Sequence, residues 1–322
     1  MISVIMPVFN ENPIDLVKSI ESILKQTEKR IELIIILDNP DNQELDNFLE
    51  NYKINDERII YLKNKKNLGI GLTLNKGIEN SNYDLIARLD ADDISLPNRL
   101  EIQLDYLIKK PNVTMVSTNC IYIDESDTIV GEKGDIPENG NQIKQLLPYG
   151  STIIHSSVMY RKDAVQKLNG YRQLLNCQDY DLWLRMIDNG YIIESINQRL
   201  TQYRLREESI TSRKALRSML TEEYVRSLHK ERLESESLSD SFSYSNYLEY
   251  LNYKKCNNKD SMDKYYKVSK LYNKGLNFMQ EKKIIKASTI IVYCILKDRR
   301  VLIRVKNMIN YRKQRKKVMS LV

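Results

Sequence analysis

The chain opens by alternating short apolar runs with segments of helical spacing, and few folds tolerate that pattern. Residues 3–8 form an apolar run containing Pro7, as a buried parallel strand would. Asn12 and Pro13 read as an N-cap and first helical position, and Leu16, Val17, Ile20, Ile23 and Leu24 follow at helical spacing. A second strand is expected at 32–38, a helix at 44–52, a third strand at 58–62, a helix at 70–80 and a fourth strand at 84–89. Strand–helix alternation implies a doubly wound α/β sheet, whose ligands sit at the carboxyl ends of the strands. Asn10, Asp38 and Asp90 are therefore expected to share one edge.

From 113 to 160 the pattern loosens into short strands at 113–117, 121–123 and 152–159. Beyond Ser212 it turns helical and polar. The 21 tyrosines against 4 phenylalanines read as a bias of the source without functional meaning. The net charge of +7 is unevenly spread: residues 281–322 hold 13 Lys/Arg and 2 Asp/Glu, leaving the other 280 residues with 37 basic and 41 acidic groups. A mildly acidic body excludes a uniformly basic nucleic-acid binder and leaves a local anionic partner for the tail. Cys120, Cys177, Cys256 and Cys294 lie far apart without a CxxC pair, as free thiols of a reducing compartment do. The N-terminus reads as a strand and not a signal peptide, and no apolar run approaches 18 residues.

Three local patterns carry chemistry. In IARLDADDI an apolar strand ends in Asp90, Asp92 and Asp93, a carboxylate cluster that calls for a divalent cation and phosphate oxygens, unless it is a solvated turn capping a helix near 95–97. In KNLGIGLTLNKGI, Gly69 and Gly71 open a helix that can face an anion, with neither the dinucleotide nor the P-loop spacing. In CQDYDLWLRM, Asp179 and Asp181 stand beside the only Trp, Trp183; a carboxylate against an apolar wall suits a general base, while Asp181 reads equally as a helix cap.

Taken in order, SVIMPVFN, ELIIILDNPDN, NLGIGLTLNKG, ARLDADDISLPNRLEIQ, HSSVMYRKDAV, NGYR, QDYDLWLR and QYRL resemble family-two glycosyltransferases of the GT-A fold, of the bacterial capsule, O-antigen and exopolysaccharide type. The resemblance covers about residues 1–212. It implies a GT-A catalytic domain over 1–212, with a nucleotide-sugar half (1–112) and an acceptor half (113–212) on a doubly wound mixed sheet. A helical basic region, 213–322, would follow.

The implied roles follow residue by residue. Pro7, Val8 and Phe9 would flank the nucleotide base, and Asp38 would contact the uracil, with Leu37-Asp38-Asn39 standing for the usual Asp-Asp-Gly and so one acid fewer. Asn67, Gly69 and Asn75 would lie beneath the nucleotide. Arg88 would support the phosphates or order the aspartates. Asp90 would hold the ribose or a metal-bound water, and Asp92 would ligate Mn²⁺ or Mg²⁺. Asp179 would be the catalytic base, with Gln178 replacing the family's usual Glu.

His155 matches a position near the acceptor or metal, although a lone His in an apolar strand is more often a hydrogen-bonded core residue. His229 reads as a surface residue. Arg206, just after Arg204, stands where some relatives carry a metal-binding His, and it suits a diphosphate. The expected partners are a UDP-sugar donor, with a lean to a galacto-configured sugar, and a lipid-diphosphate-linked glycan acceptor. The expected chemistry is a single inverting transfer. The basic C-terminus would lie on an anionic membrane or cover the catalytic domain, giving a cytoplasmic protein peripheral at the inner face of the cell membrane. A non-catalytic glycan- or membrane-binding module is the competing reading. A nucleotidyltransferase lacks support, because Phe9-Asn10-Glu11-Asn12 replaces the basic glycine-rich loop it needs.

Overall fold

The computed structural model describes residues 1–206, 215–256 and 258–320, in two compact units. The first unit holds nearly all of 1–206 and the second the C-terminal helices. The boundary expected near Ser212 lies outside the described residues.

In the first unit, β1 (Ile2–Val8), β2 (Ile31–Leu37), β3 (Ile59–Lys63) and β4 (Leu85–Arg88) run parallel in the order β3-β2-β1-β4. The register pairs Val8 with Leu37 and Ile5 with Arg88, so the residues after these strands share one edge. Alternation sorts the side chains. Ile2, Val4, Met6 and Val8 join Leu16, Ile20 and Ile23 of α1 (Pro13–Leu24) and Leu45 and Leu49 of α2 (Gln43–Ile54) in one core. Ile5 and Ile36 face the other way, onto α3 (Ile70–Glu79). Helices on both faces explain why the strands are unbroken apolar runs. The Asn12 side chain accepts from the Ile14 amide with Pro13 at the helix start, as the sequence implied.

The contact with α3 depends on Gly77. A Cβ there would sit 2.6 Å from Ile5 Cγ2 and 3.0 Å from Ile36 Cδ1. Gly77→Leu is expected to destabilise the protein by ~3 kcal/mol through overpacking, read as a fall in the urea midpoint with an unchanged m-value. An unchanged midpoint would show that α3 does not bear on the sheet this closely.

The sheet continues β4-β8-β6-β9-β5 through β8 (Met159–Arg161), β6 (Val113–Ile123), β9 (Ile192–Arg204) and β5 (Ile94–Ser95), with β7 (Ile129–Glu132) pairing on β6. β8 is antiparallel to β4 and β6, and β6 is parallel to β9, so the sheet is mixed, as expected. The strands expected at 113–117 and 121–123 are one eleven-residue strand. Thr118 and Asn119, too polar to read as strand interior, are fully buried beside β9. The helix expected near 95–97 begins at Arg99 (α4, Arg99–Lys109), so the acidic cluster lies in the turn before β5 and caps no helix. Helices α5 (Gly140–Leu146), α6 (Lys162–Lys167) and α7 (Gln178–Asp188) complete the unit.

The second unit comprises α8 (Ala215–Glu234), α9 (Tyr244–Tyr253), α10 (Lys259–Gln280), α11 (Ile284–Lys297) and α12 (Val301–Met319). Its core is built on tyrosine. Tyr247 and Tyr265 are fully buried, and the Tyr224 ring meets Tyr247 at 5.5 Å and Tyr250 at 5.0 Å. The tyrosine excess thus has a structural use that composition did not reveal. His229, expected at the surface, is 7% exposed on the inner side of α8. None of the described helices is long and apolar enough to cross a membrane.

Candidate active site

The carboxyl edge of β1, β2 and β4 gathers two groups of expected residues. In the first, the Asp38 carboxylate accepts from Asn64 Nδ2 (2.7 Å) and from the amides of Leu68 and Gly69 (2.8 Å each). Asp38 is 5% exposed, so its oxygens shape the turn that opens α3. Gly69, at φ 79°, is the cap of that helix, and Asn67 also accepts from its amide. Asn75 binds backbone instead of facing the edge: its amide group exchanges two 2.8 Å hydrogen bonds with the Tyr171 main chain. Phe9 is 39% exposed and Pro7 half-buried, whereas Val8 is 1% exposed and belongs to the core. Asn10 Oδ1 accepts from Asn39 Nδ2 (2.6 Å) and Asn42 Nδ2 (3.0 Å), tying together the loops after β1 and β2.

The second group is ionic. Arg88, 1% exposed, forms a bidentate pair with Asp90. Burial opposes the Arg88 charge, but Asp90 outweighs burial and holds its pKa above the ordinary value. Arg204 Nε donates to the Asp92 carbonyl (2.9 Å), its amide to Asp93 Oδ1 (2.8 Å) and its Nη2 to Asp127 Oδ1 (2.6 Å). The fully buried Arg204 side chain therefore braces the acidic turn from behind. Arg206 reaches the front, Nε to Asp92 Oδ2 (2.9 Å) and Nη2 to Asp15 Oδ2 (3.1 Å).

Three carboxyls here titrate high. Burial, then the charge of Asp90, raises Asp92 against the lowering pull of Arg206. Burial raises Asp93 well above the carboxylate range, and at 1% exposure it is a support with no open face. Glu11, which the sequence reading passed over, accepts from the Phe9 amide (2.6 Å) and is pushed up to about 7 by burial, with Asp92 and Asp90 adding to the rise. Its only sequence signal was its place directly after the β1 motif.

Among the described residues no three His, Cys, Asp or Glu side chains stand together as a metal cage. The hard oxygens of Asp92 in this negative field still suit Mg²⁺ or Mn²⁺, with phosphate and water completing the shell. The field yields a pH prediction. Because the folded-state pKa of Glu11 lies above its ordinary 4.5, the Glu11 contribution to folding stability falls as pH rises from about 4.5 to 7. Thermal melts across that range should show Glu11→Gln gaining stability relative to wild type as pH rises, and Mn²⁺ should narrow that difference by favouring the ionised carboxyl. Parallel pH profiles in both proteins would contradict a raised Glu11.

Asp179 lies half-buried in the first turn of α7. Burial raises its pKa, opposed by the Tyr180 amide and by the charge of Arg88. A carboxylate more basic than usual yet held at a helix N-terminus is equipped to take a proton. Asp181 proves structural: fully buried, it pairs with Arg185 (2.8 Å) and Arg172 (3.3 Å). Gln178 is 6% exposed. Behind Asp179, Trp183 is fully buried and packs edge-on to His155 (5.8 Å), Tyr171 (6.4 Å) and Tyr160 (6.5 Å). His155 bonds the Tyr171 hydroxyl (3.0 Å); burial first and Arg88 second hold its pKa well below the usual value. His155 stands half-buried in a 3₁₀ turn.

Comparison with known proteins identifies the family of this chain. Residues 3–168 match the sequence profile described as "Glycosyl transferase family 2". The O-antigen biosynthesis glycosyltransferase WbnJ of Escherichia coli is 37% identical over 220 residues, 67% of this chain and 84% of that protein. The UDP-Gal:alpha-D-GlcNAc-diphosphoundecaprenol beta-1,3-galactosyltransferase of Escherichia coli is 30% identical over 226 residues, 68% of this chain and 80% of that protein. The amylovoran biosynthesis glycosyltransferase AmsE of Erwinia amylovora is 30% identical over 215 residues, 66% of this chain and 80% of that protein.

Proposed function

The chain belongs to glycosyl transferase family 2, and on that premise we propose an inverting, metal-dependent transfer of one sugar. The donor is a UDP-sugar, the acceptor a hydroxyl of a lipid-diphosphate-linked oligosaccharide, and the setting surface polysaccharide biosynthesis at the cytoplasmic face of the membrane. The observation that carries the chemistry is Asp179, a carboxyl raised by burial and acted on by the charges of Arg88 and Asp90. A proton acceptor thus works beside an ordered, anion-handling cluster.

In this reading Pro7 and Phe9 flank the uracil, and the 68–69 turn fixed by Asp38 lies beneath the nucleotide. Arg88 holds Asp90 in the rotamer that meets the ribose. Asp92 would hold Mn²⁺ or Mg²⁺, which when bound neutralises charge on the leaving diphosphate. Arg206 moves from Asp92 to the phosphates. The acceptor oxygen attacks the anomeric carbon as its proton passes to Asp179, and the carbon–oxygen bond to the diphosphate breaks with its electron pair leaving on phosphate. One displacement inverts the anomeric centre and requires no covalent intermediate.

The donor and acceptor classes are supported by the name of the galactosyltransferase relative, which leans the sugar toward galactose or its N-acetyl form over the gluco pair. The direct test offers UDP-Gal, UDP-GalNAc, UDP-Glc and UDP-GlcNAc with a lipid-diphosphate GlcNAc acceptor. A β-linked product by NMR anomeric coupling from an α-linked donor is expected. An α-linked product would overturn the single displacement.

A further inference from the structure

Helix α11 presents a row of large apolar side chains away from its own packing. Ala287 and Cys294, both fully buried, mark the inner side, and at 3.6 residues per turn Ile285, Thr289, Val292 and Leu296 fall opposite. Ile285 is 84% exposed, Val292 54% and Leu296 79%. The only charges on α11 are Lys286 and Lys297, with no acid anywhere along it. On α12, Leu302 and Ile309 share a side with Lys306 and Lys313 by the same periodicity, and both apolar residues are about half exposed. Of the two acids among residues 281–322, Asp298 is 7% exposed and committed to Arg300. Arg300, in the link between the helices, also lines a cavity of about 480 Å³ with Lys254, Lys255, Lys264 and one acid, Asp260.

An apolar row bordered by cations alone fits a surface that offers hydrocarbon below and phosphate above. A second copy fits poorly. A twofold interface would lay the same patch against itself and bring together two segments that each carry 13 basic and 2 acidic groups. We propose that the outer faces of α11 and α12 dock on an anionic phospholipid surface. The Ile285–Val292–Leu296 row enters the acyl boundary, and Lys286, Lys297, Lys306 and Lys313 meet headgroup phosphates. This gives the membrane location proposed above a physical means and rests on that reading for its purpose, while the test reads binding without turnover, so the two can fail separately.

The full-length protein is sedimented with phosphatidylcholine vesicles, with and without phosphatidylglycerol. Binding is expected only with phosphatidylglycerol and should weaken as salt rises. Val292→Asp with Leu296→Asp should weaken it at least about tenfold, as should Lys306→Glu with Lys313→Glu. These positions are exposed, so the melting temperature should hold in both variants, and UDP-induced stabilisation serves as a control for the catalytic unit. Absence of wild-type binding, or equal binding by wild type and both variants, would overturn the proposal. So would a wild-type dimer in solution that the Val292/Leu296 variant dissolves.

Discussion

Asp179→Asn lowers turnover about 1,000-fold, the scale of a lost general base, while UDP binding stays within about twofold of wild type. Asn preserves the shape of the side chain and its acceptor oxygen at the start of α7, so the helix keeps its first-turn contacts. What disappears is the capacity to take the acceptor's proton. A second consequence separates this role from a structural one. Burial raises the Asp179 pKa, so wild-type kcat/KM should fall on the acidic side as the carboxyl takes up a proton, and that limb should vanish from the residual activity of the variant. Full activity in Asp179→Asn would remove the base from the mechanism.

Asp92→Asn is the other large effect. Asp92 carries the side chain on which Arg206 rests, and burial and Asp90 hold its carboxyl above the ordinary range. A cation relieves that repulsion, and a neutral amide does not call for one. The variant should lose the dependence of UDP binding on Mn²⁺ and about 100- to 1,000-fold in turnover. The fold should hold, because the Asp92 carbonyl, and not its side chain, takes the brace from Arg204. Retention of the Mn²⁺ dependence would move the metal elsewhere.

Much of the first unit is legible in the sequence. The four parallel strands have both faces covered, so their apolar runs are continuous, and α1 carries its own cap in Asn12 and Pro13. β6 was read as two pieces because its centre is polar, and only its long pairing with β9 explains why Thr118 and Asn119 can be buried there. The site was legible as a set of residues and less so as a set of roles. Motif order placed Asp38 and Asn75 in the nucleotide half, but which backbone amides their side chains serve depends on residues 30 and 96 positions away. Glu11 has no local mark, being a single carboxylate in a polar loop; it comes under the charges of Asp90 and Asp92 only when β1 and β4 pair. The tyrosine core of the second unit was hidden for the same reason.

The most direct test of the central claim is a thermal-shift series with UDP, GDP, CMP and NAD, each with and without Mn²⁺. Stabilisation by UDP that requires Mn²⁺ is the predicted result. Response to no nucleotide would contradict the nucleotide-sugar site itself, and a response to GDP alone would keep the metal–diphosphate chemistry and replace the donor.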